Sequence, residues 1–162
     1  MGWRAAFLTQ ARSDNEVRKL LNKSLVPYAH QLHYLQMTTE KLATGFSTSP
    51  SAISPQNLTH SAFVSCLRAI KGRPEIRRQL GYTSSAAFSS FIDALLPLAL
   101  SVEQLASKFA GTTKPNPEYP WQPTPAHEVI APAEFDFPEF EPTSAMIVQL
   151  VNLVEQLPRV VV

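Results

Sequence analysis

The sequence predicts an all-α protein: an up-and-down bundle of four to six helices, crossed by a proline-rich extended strap and closed by a C-terminal helix. Two long stretches, residues 28–46 and 88–109, place apolar side chains at alternating spacings of three and four, the period of one helix face. Strand-like alternation is scarce. Eight of the fourteen prolines fall between residues 111 and 142, at 115, 117, 120, 123, 125, 132, 138 and 142, where neither a helix nor a central strand survives them.

From residue 3 to about residue 22, Trp3, Phe7, Ala11, Val17 and Leu21 recur at rough helical spacing among charged residues. Ser13-Asp14-Asn15-Glu16 offers an alternative capped start near residue 14. Pro27 suits the first turn of a second helix, because the amide proton it lacks would go unused there. Tyr28, Leu32, Leu35, Thr39, Leu42 and Phe46 form that helix's stripe; His33, Gln36, Glu40, Lys41 and Thr44 lie mostly off it, and it ends near Gly45. Residues 47–56, rich in Ser, Thr and Pro, connect it to a third helix over residues 60–71, built on Phe63, Val64, Leu67 and Ile70 and stopped by Gly72.

Residues 73–81 predict a two-turn helix with Pro74 at its first position and Gly81 just past its end. The strongest pattern follows in Phe88, Phe91, Leu95, Leu98, Val102, Leu105 and Phe109, with Thr83, Ser84 or Ser85 to cap its start and Lys108 and Gly111 to end it. Its interior Pro97 removes one backbone hydrogen bond and is expected to kink it. Residues 111–142 also hold Tyr119, Trp121, Val129, Ile130, Phe135, Phe137 and Phe140, too many large apolar groups for a solvated linker, so they are expected to lie across the helices as a strap. A last helix over residues 143–158, capped by Thr143 or Ser144, carries Ile147, Leu150, Val154 and Leu157 on one face and ends at Pro158, leaving an apolar Val160-Val161-Val162 terminus to dock elsewhere. Residues 1–162 read as one domain with no internal repeat.

Composition narrows the function classes. Fourteen Lys and Arg against thirteen Asp and Glu leave a formal charge of +1, so no whole-molecule field draws in nucleic acid or an anionic membrane. The single cysteine, Cys66, excludes an internal disulfide and a multi-cysteine zinc site, and reads as a buried, reduced thiol. The opening residues lack the apolar stretch of a signal peptide, and the most apolar run, residues 94–100, is far short of the roughly 20 residues of a span. A cytoplasmic protein that does not cross a membrane is expected, which makes the Asn22-Lys23-Ser24 and Asn57-Leu58-Thr59 triplets chance glycosylation matches.

Ala11-Arg12-Ser13-Asp14-Asn15-Glu16 with Leu20-Leu21, then Gln36-Met37-Thr38-Thr39-Glu40-Lys41-Leu42-Ala43, Leu58-Thr59-His60-Ser61 and Asn116-Pro117-Glu118-Tyr119-Pro120-Trp121, in this order, resemble the HEPN family over some two thirds of the chain. The resemblance implies a four- or five-helix bundle that often dimerises, acting as a partner of nucleotidyltransferases, an RNA-cleaving toxin or an accessory domain in defence systems. Its RNA-cleaving members carry an Arg followed by four to six residues and a His. No Arg in this sequence has a His at that spacing.

Residue by residue, His60 at a helix start is the best single acid–base candidate, with backbone hydrogen bonding as its plainer role. His30 and His33 share a helix face with Glu40 two turns on, but two histidines make an incomplete metal site, and no metal or cofactor is expected; His127 in the strap reads as exposed. Lys71, Arg73, Arg77 and Arg78 form the one dense basic cluster, fit either for RNA or nucleotide phosphate or for a solvated loop. In the strap, Trp121, Phe135, Phe137 and Phe140, the last three interleaved with Glu134, Asp136, Glu139 and Glu141, suit either a partner's apolar groove or the protein's own helices. No glycine-rich phosphate loop, serine elbow or paired-cysteine motif is present. The expectation is a non-catalytic, HEPN-like interaction module acting as a homodimer or as accessory to a protein partner. The alternatives are a metal-independent ribonuclease using His60 with Arg73, Arg77 or Arg78, and a nucleotide- or phosphate-binding accessory subunit.

Overall fold

A computed structural model describes residues 1–54, 62–111 and 113–160. Among them run six α-helices: α1 (Trp3–Leu21), α2 (Tyr28–Ser47), α3 (Phe63–Lys71), α4 (Pro74–Gln79), α5 (Ser85–Gln104) and α6 (Ala145–Val160), with short 3-10 turns at Ser107–Phe109, Pro132–Glu134 and Pro138–Phe140. The all-α bundle with a C-terminal helix that the periodicity predicts is the observed architecture.

The first two helices pack antiparallel, Leu8 against Gly45 at one end and Asp14 against Lys41 further along, with Asp14 Oδ2 3.0 Å from Lys41 Nζ. Gly45 is what permits the approach: a Cβ there would lie 3.0 Å from Leu8 Cδ2 and 3.2 Å from Phe7 Cβ. α1 runs unbroken from Trp3, without a restart at residue 14, because Asp14 and Asn15 face inward and bond within the bundle.

α2 is the central helix, touching α1, α3, α5 and α6. Its sequence shows one stripe, yet Gln36 and Thr44, off that stripe, are buried as well. Threonine makes this possible, since the Thr38, Thr39 and Thr44 hydroxyls donate to the carbonyls of Tyr34, Gln36 and Glu40 and so enter the core already satisfied. Around α2 close Phe63, Leu67 and Ile70 of α3, Phe88, Ile92 and Leu95 of α5, and Leu150 and Leu157 of α6, all buried.

α5 begins at a Ser84 cap whose hydroxyl accepts from the Ala87 amide, and Pro97 lies inside it with helix continuing on both sides. It stops at Gln104, short of Phe109, where the buried Asn116 amide takes the carbonyls of Leu105 and Ala106. By length and composition α5 is apolar enough to cross a membrane, more than its residues 94–100 alone suggest; in the fold Phe88, Ile92, Leu95, Ala99 and Val102 are buried. α6 continues through Pro158 to Val160 rather than ending there. So near the terminus the proline costs one backbone bond, and its own carbonyl accepts from Arg12 Nη2.

Candidate functional site

The strap folds onto its own bundle. Asn116 ties its start to the end of α5, and the Asn116 carbonyl oxygen of the side chain accepts from the Glu118 and Tyr119 amides at 2.9 Å each, turning the chain back. Further on, Trp121 and Ile130 exchange both backbone hydrogen bonds in a single antiparallel bridge. Trp121 then meets Phe135 edge-on at 5.0 Å, and Phe135 meets Phe137 edge-on at 5.0 Å. Phe137 adopts φ +47, left-handed for a bulky side chain, which reverses the strap and lets both Phe137 and Phe140 point inward. Tyr28 of α2 pins the reversal by donating to the Phe140 carbonyl at 2.8 Å, and burial pushes the Tyr28 phenol up to about 12.

Between this reversal and the end of α5 a groove of about 360 Å³ opens, walled by Leu105, Pro115, Phe135, Phe137, Pro138 and Phe140. Two polar pairs mark its edges: Lys114 Nζ donates to Gln104 Oε1 at 2.7 Å, and the Ser101 hydroxyl donates to Glu139 Oε1. Three of the four strap aromatics singled out in the sequence thus line one cavity, and Trp121 supports it from behind. Trp121, Phe137 and Phe140 are buried in the chain's own core, so what a partner meets is the groove they shape. Such a groove accommodates an apolar anchor side chain, the usual centre of an interface.

The four side chains of the basic cluster lie in different surroundings. Lys71 reaches α5 and pairs with both carboxylate oxygens of Asp93 at 2.7 and 2.8 Å, whereas Arg73 leans over the Phe46 ring of α2 at 6.0 Å with Glu75 3.7 Å away. The Arg77 Nε is buried without a hydrogen-bond partner, and Arg78 is exposed. Beside their short helix, Leu80, Tyr82, Phe91 and Leu153 floor a smaller groove of about 190 Å³ whose wall is Gln149, Asn152 and Gln156 of α6. Tyr82 stacks on Phe91 there, 5.3 Å between ring centres.

His60 lies outside the described residues. Among those described, no three His, Cys, Asp or Glu side chains gather as a metal site. His30 is exposed, and His33 instead faces Glu118 of the strap at 3.7 Å. Cys66 is buried, and desolvation pushes its thiol up to about 12, far from a reactive thiolate.

Two partly buried contacts of charged side chains have no counterpart in the sequence patterns. Glu103, buried near the end of α5, accepts from the Val64 amide at 2.8 Å and caps α3, whose own N-cap, Ala62, has no side chain to do so. Arg18 of α1 donates to Asn15 and to Glu155 of α6 at 2.9 and 2.8 Å; burial draws its guanidinium below the ordinary value while Glu155 opposes the change. Val64 is 39 residues from Glu103 and Glu155 is 137 from Arg18, and a carboxylate or guanidinium inside an amphipathic pattern carries no mark of where it will be held.

The chain matches no protein-family model, no curated protein and no solved structure.

Proposed function

We propose that this chain is a non-catalytic, HEPN-like interaction module that docks a second copy of itself or a partner protein through the groove between α5 and the strap. The observation that carries the reading is the convergence of Leu105, Phe135, Phe137 and Phe140 on one open apolar cavity with polar groups at its edges, the layout of an interface anchor pocket. The order of elements supports the family clause: a long antiparallel pair, a third helix, a short fourth, a long fifth, a strap and a terminal helix.

Light scattering on the full chain tests the homodimer. A dimer is expected, and Phe135→Lys, at a partly exposed wall of the groove, should dissociate it with helix content unchanged. A monomer, or a dimer indifferent to Phe135→Lys, removes the homodimer clause. RNA cleavage in EDTA that disappears in His60→Ala would sink the non-catalytic reading altogether.

A second reading, nucleotide or RNA binding, is favoured by the groove of stacked Tyr82 and Phe91 beside the amides of Gln149, Asn152 and Gln156. Aromatic faces stack on bases, and amide side chains hydrogen-bond their edges. It predicts that a short single-stranded RNA binds and that Tyr82→Ala weakens binding by about tenfold, the usual scale of one lost stacking contact.

A further inference from the structure

A third groove, of about 330 Å³, runs along the first half of α1 beneath the Pro50 segment, and its wall residues include Arg4, Ala5, Leu8, Thr9 and Arg12. Ala5, Leu8, Thr9 and Arg12 follow each other at helical spacing, so they form one face, and Arg4 and Arg12 stand eight residues or about 12 Å apart along the axis. The two charged side chains in its wall are both arginines, and none of its wall residues is acidic. Arg12 is fixed by α6: one of its N–H groups donates to the Pro158 carbonyl, while the rest of the exposed guanidinium keeps further donors of its planar fork.

The volume is at the lower end of ligand cavities, about 300–1,000 Å³, room for one slender small molecule. Ala5, Leu8 and Pro50 give the middle of the groove an apolar floor, with the Thr9 hydroxyl the one uncharged polar side chain in the wall, which fits an occupant with an apolar body and an anionic end. With the two arginines too far apart to hold one head together, a single guanidinium matches a monoanion, and its fork geometry fits a carboxylate.

We propose that this groove binds an amphipathic carboxylate, its alkyl chain along Ala5, Leu8 and Pro50 and its head on Arg12. The site is separate from the α5–strap groove and does not depend on the docking function assigned there.

Calorimetric titration of the full chain with decanoate, kept below its micellar concentration, tests the proposal. One decanoate per chain is expected, with decanol weaker by about tenfold, the equivalent of about 1.4 kcal/mol for the lost charged hydrogen bonds. Arg12→Gln should weaken decanoate by a similar factor, and Ala5→Phe, at an exposed helical position, should block the groove while leaving circular dichroism unchanged. Because Arg12 also touches α6, Arg12→Lys, which keeps the charge but loses the planar fork, supplies a second variant, expected to weaken binding by a smaller factor. Absence of binding, equal affinity for decanol, or decanoate affinity unmoved by both Arg12→Gln and Ala5→Phe would overturn the site. Decyl phosphate binding more tightly than decanoate would overturn the carboxylate assignment.

Discussion

Asn116 does at one position what a helix terminus and a turn usually need several residues to do. Its side-chain amide donates to two carbonyls at the end of α5, and its side-chain oxygen accepts from two strap amides, while Asn116 itself is only 1% exposed. Asn116→Ala leaves the buried Leu105 and Ala106 carbonyls without these partners, and is expected to cost about 3 kcal/mol in denaturant unfolding. In the sequence, Asn116-Pro117 is one more turn-forming pair in a proline-rich stretch; its partners ten and eleven residues back become visible only once the strap returns across α5. Tyr28 ties the other end of the strap and adds a pH dependence. Its folded-state pKa, about 12, lies above its ordinary 10.0, so the folded chain holds the proton more tightly. The resulting stabilisation is full below pH 10 and is lost as pH rises toward about 12. Cys66, raised from 9.0 to about 12, adds a loss of the same sign that begins one unit lower. Unfolding titrations from pH 9 to 11 should therefore show falling stability, with a shallower fall above pH 10 in Tyr28→Phe; an identical profile would exclude Tyr28 as a contributor.

At the scale of elements, helices were legible where one face is apolar, and obscure where polar groups are buried in pairs. The spacing in residues 88–109 gives away α5, but its end depends on Asn116, so the helix stops before its pattern does. The single stripe on α2 understates its burial, because threonine hydroxyls that bond back to their own helix turn polar positions into core positions. α3 is the extreme case: nine residues, with an N-terminus held by a carboxylate 39 residues away. Removing that acceptor in Glu103→Ala should cost about 1–3 kcal/mol, the range of a lost buried hydrogen bond to a charged group. Glu103→Gln keeps an amide oxygen for the Val64 N–H and should cost less. Paired denaturation curves check the order, and a glutamine variant as unstable as the alanine one would mean that charge rather than the hydrogen bond carries the contact.

For the whole molecule, composition announced a strap with too many aromatics for a linker, but could not decide whose surface it would cover. The structure answers with Trp121, Phe137 and Phe140 buried against this chain's own helices, and with the strap anchored at Asn116 by α5 and at Phe140 by Tyr28 of α2. Such a segment should unfold with the bundle rather than before it, since its aromatic side chains belong to the same buried cluster as Leu32, Ile92 and Leu150. Trp121 is the sharpest probe, standing behind the docking groove and touching Phe135 and Phe137 without lining the cavity itself. Trp121→Ala is expected to lower global stability by about 3–5 kcal/mol, the cost of emptying a large aromatic site in a core. Amide exchange in α2 and α5 should accelerate by the same factor as in the strap, because all three open through one global transition. If instead the strap amides exchange quickly in the native chain while α2 and α5 keep their protection, the strap is a clip on a bundle that stands without it. The docking groove would then form only while the clip is closed, and partner binding would slow strap exchange without changing that of α2.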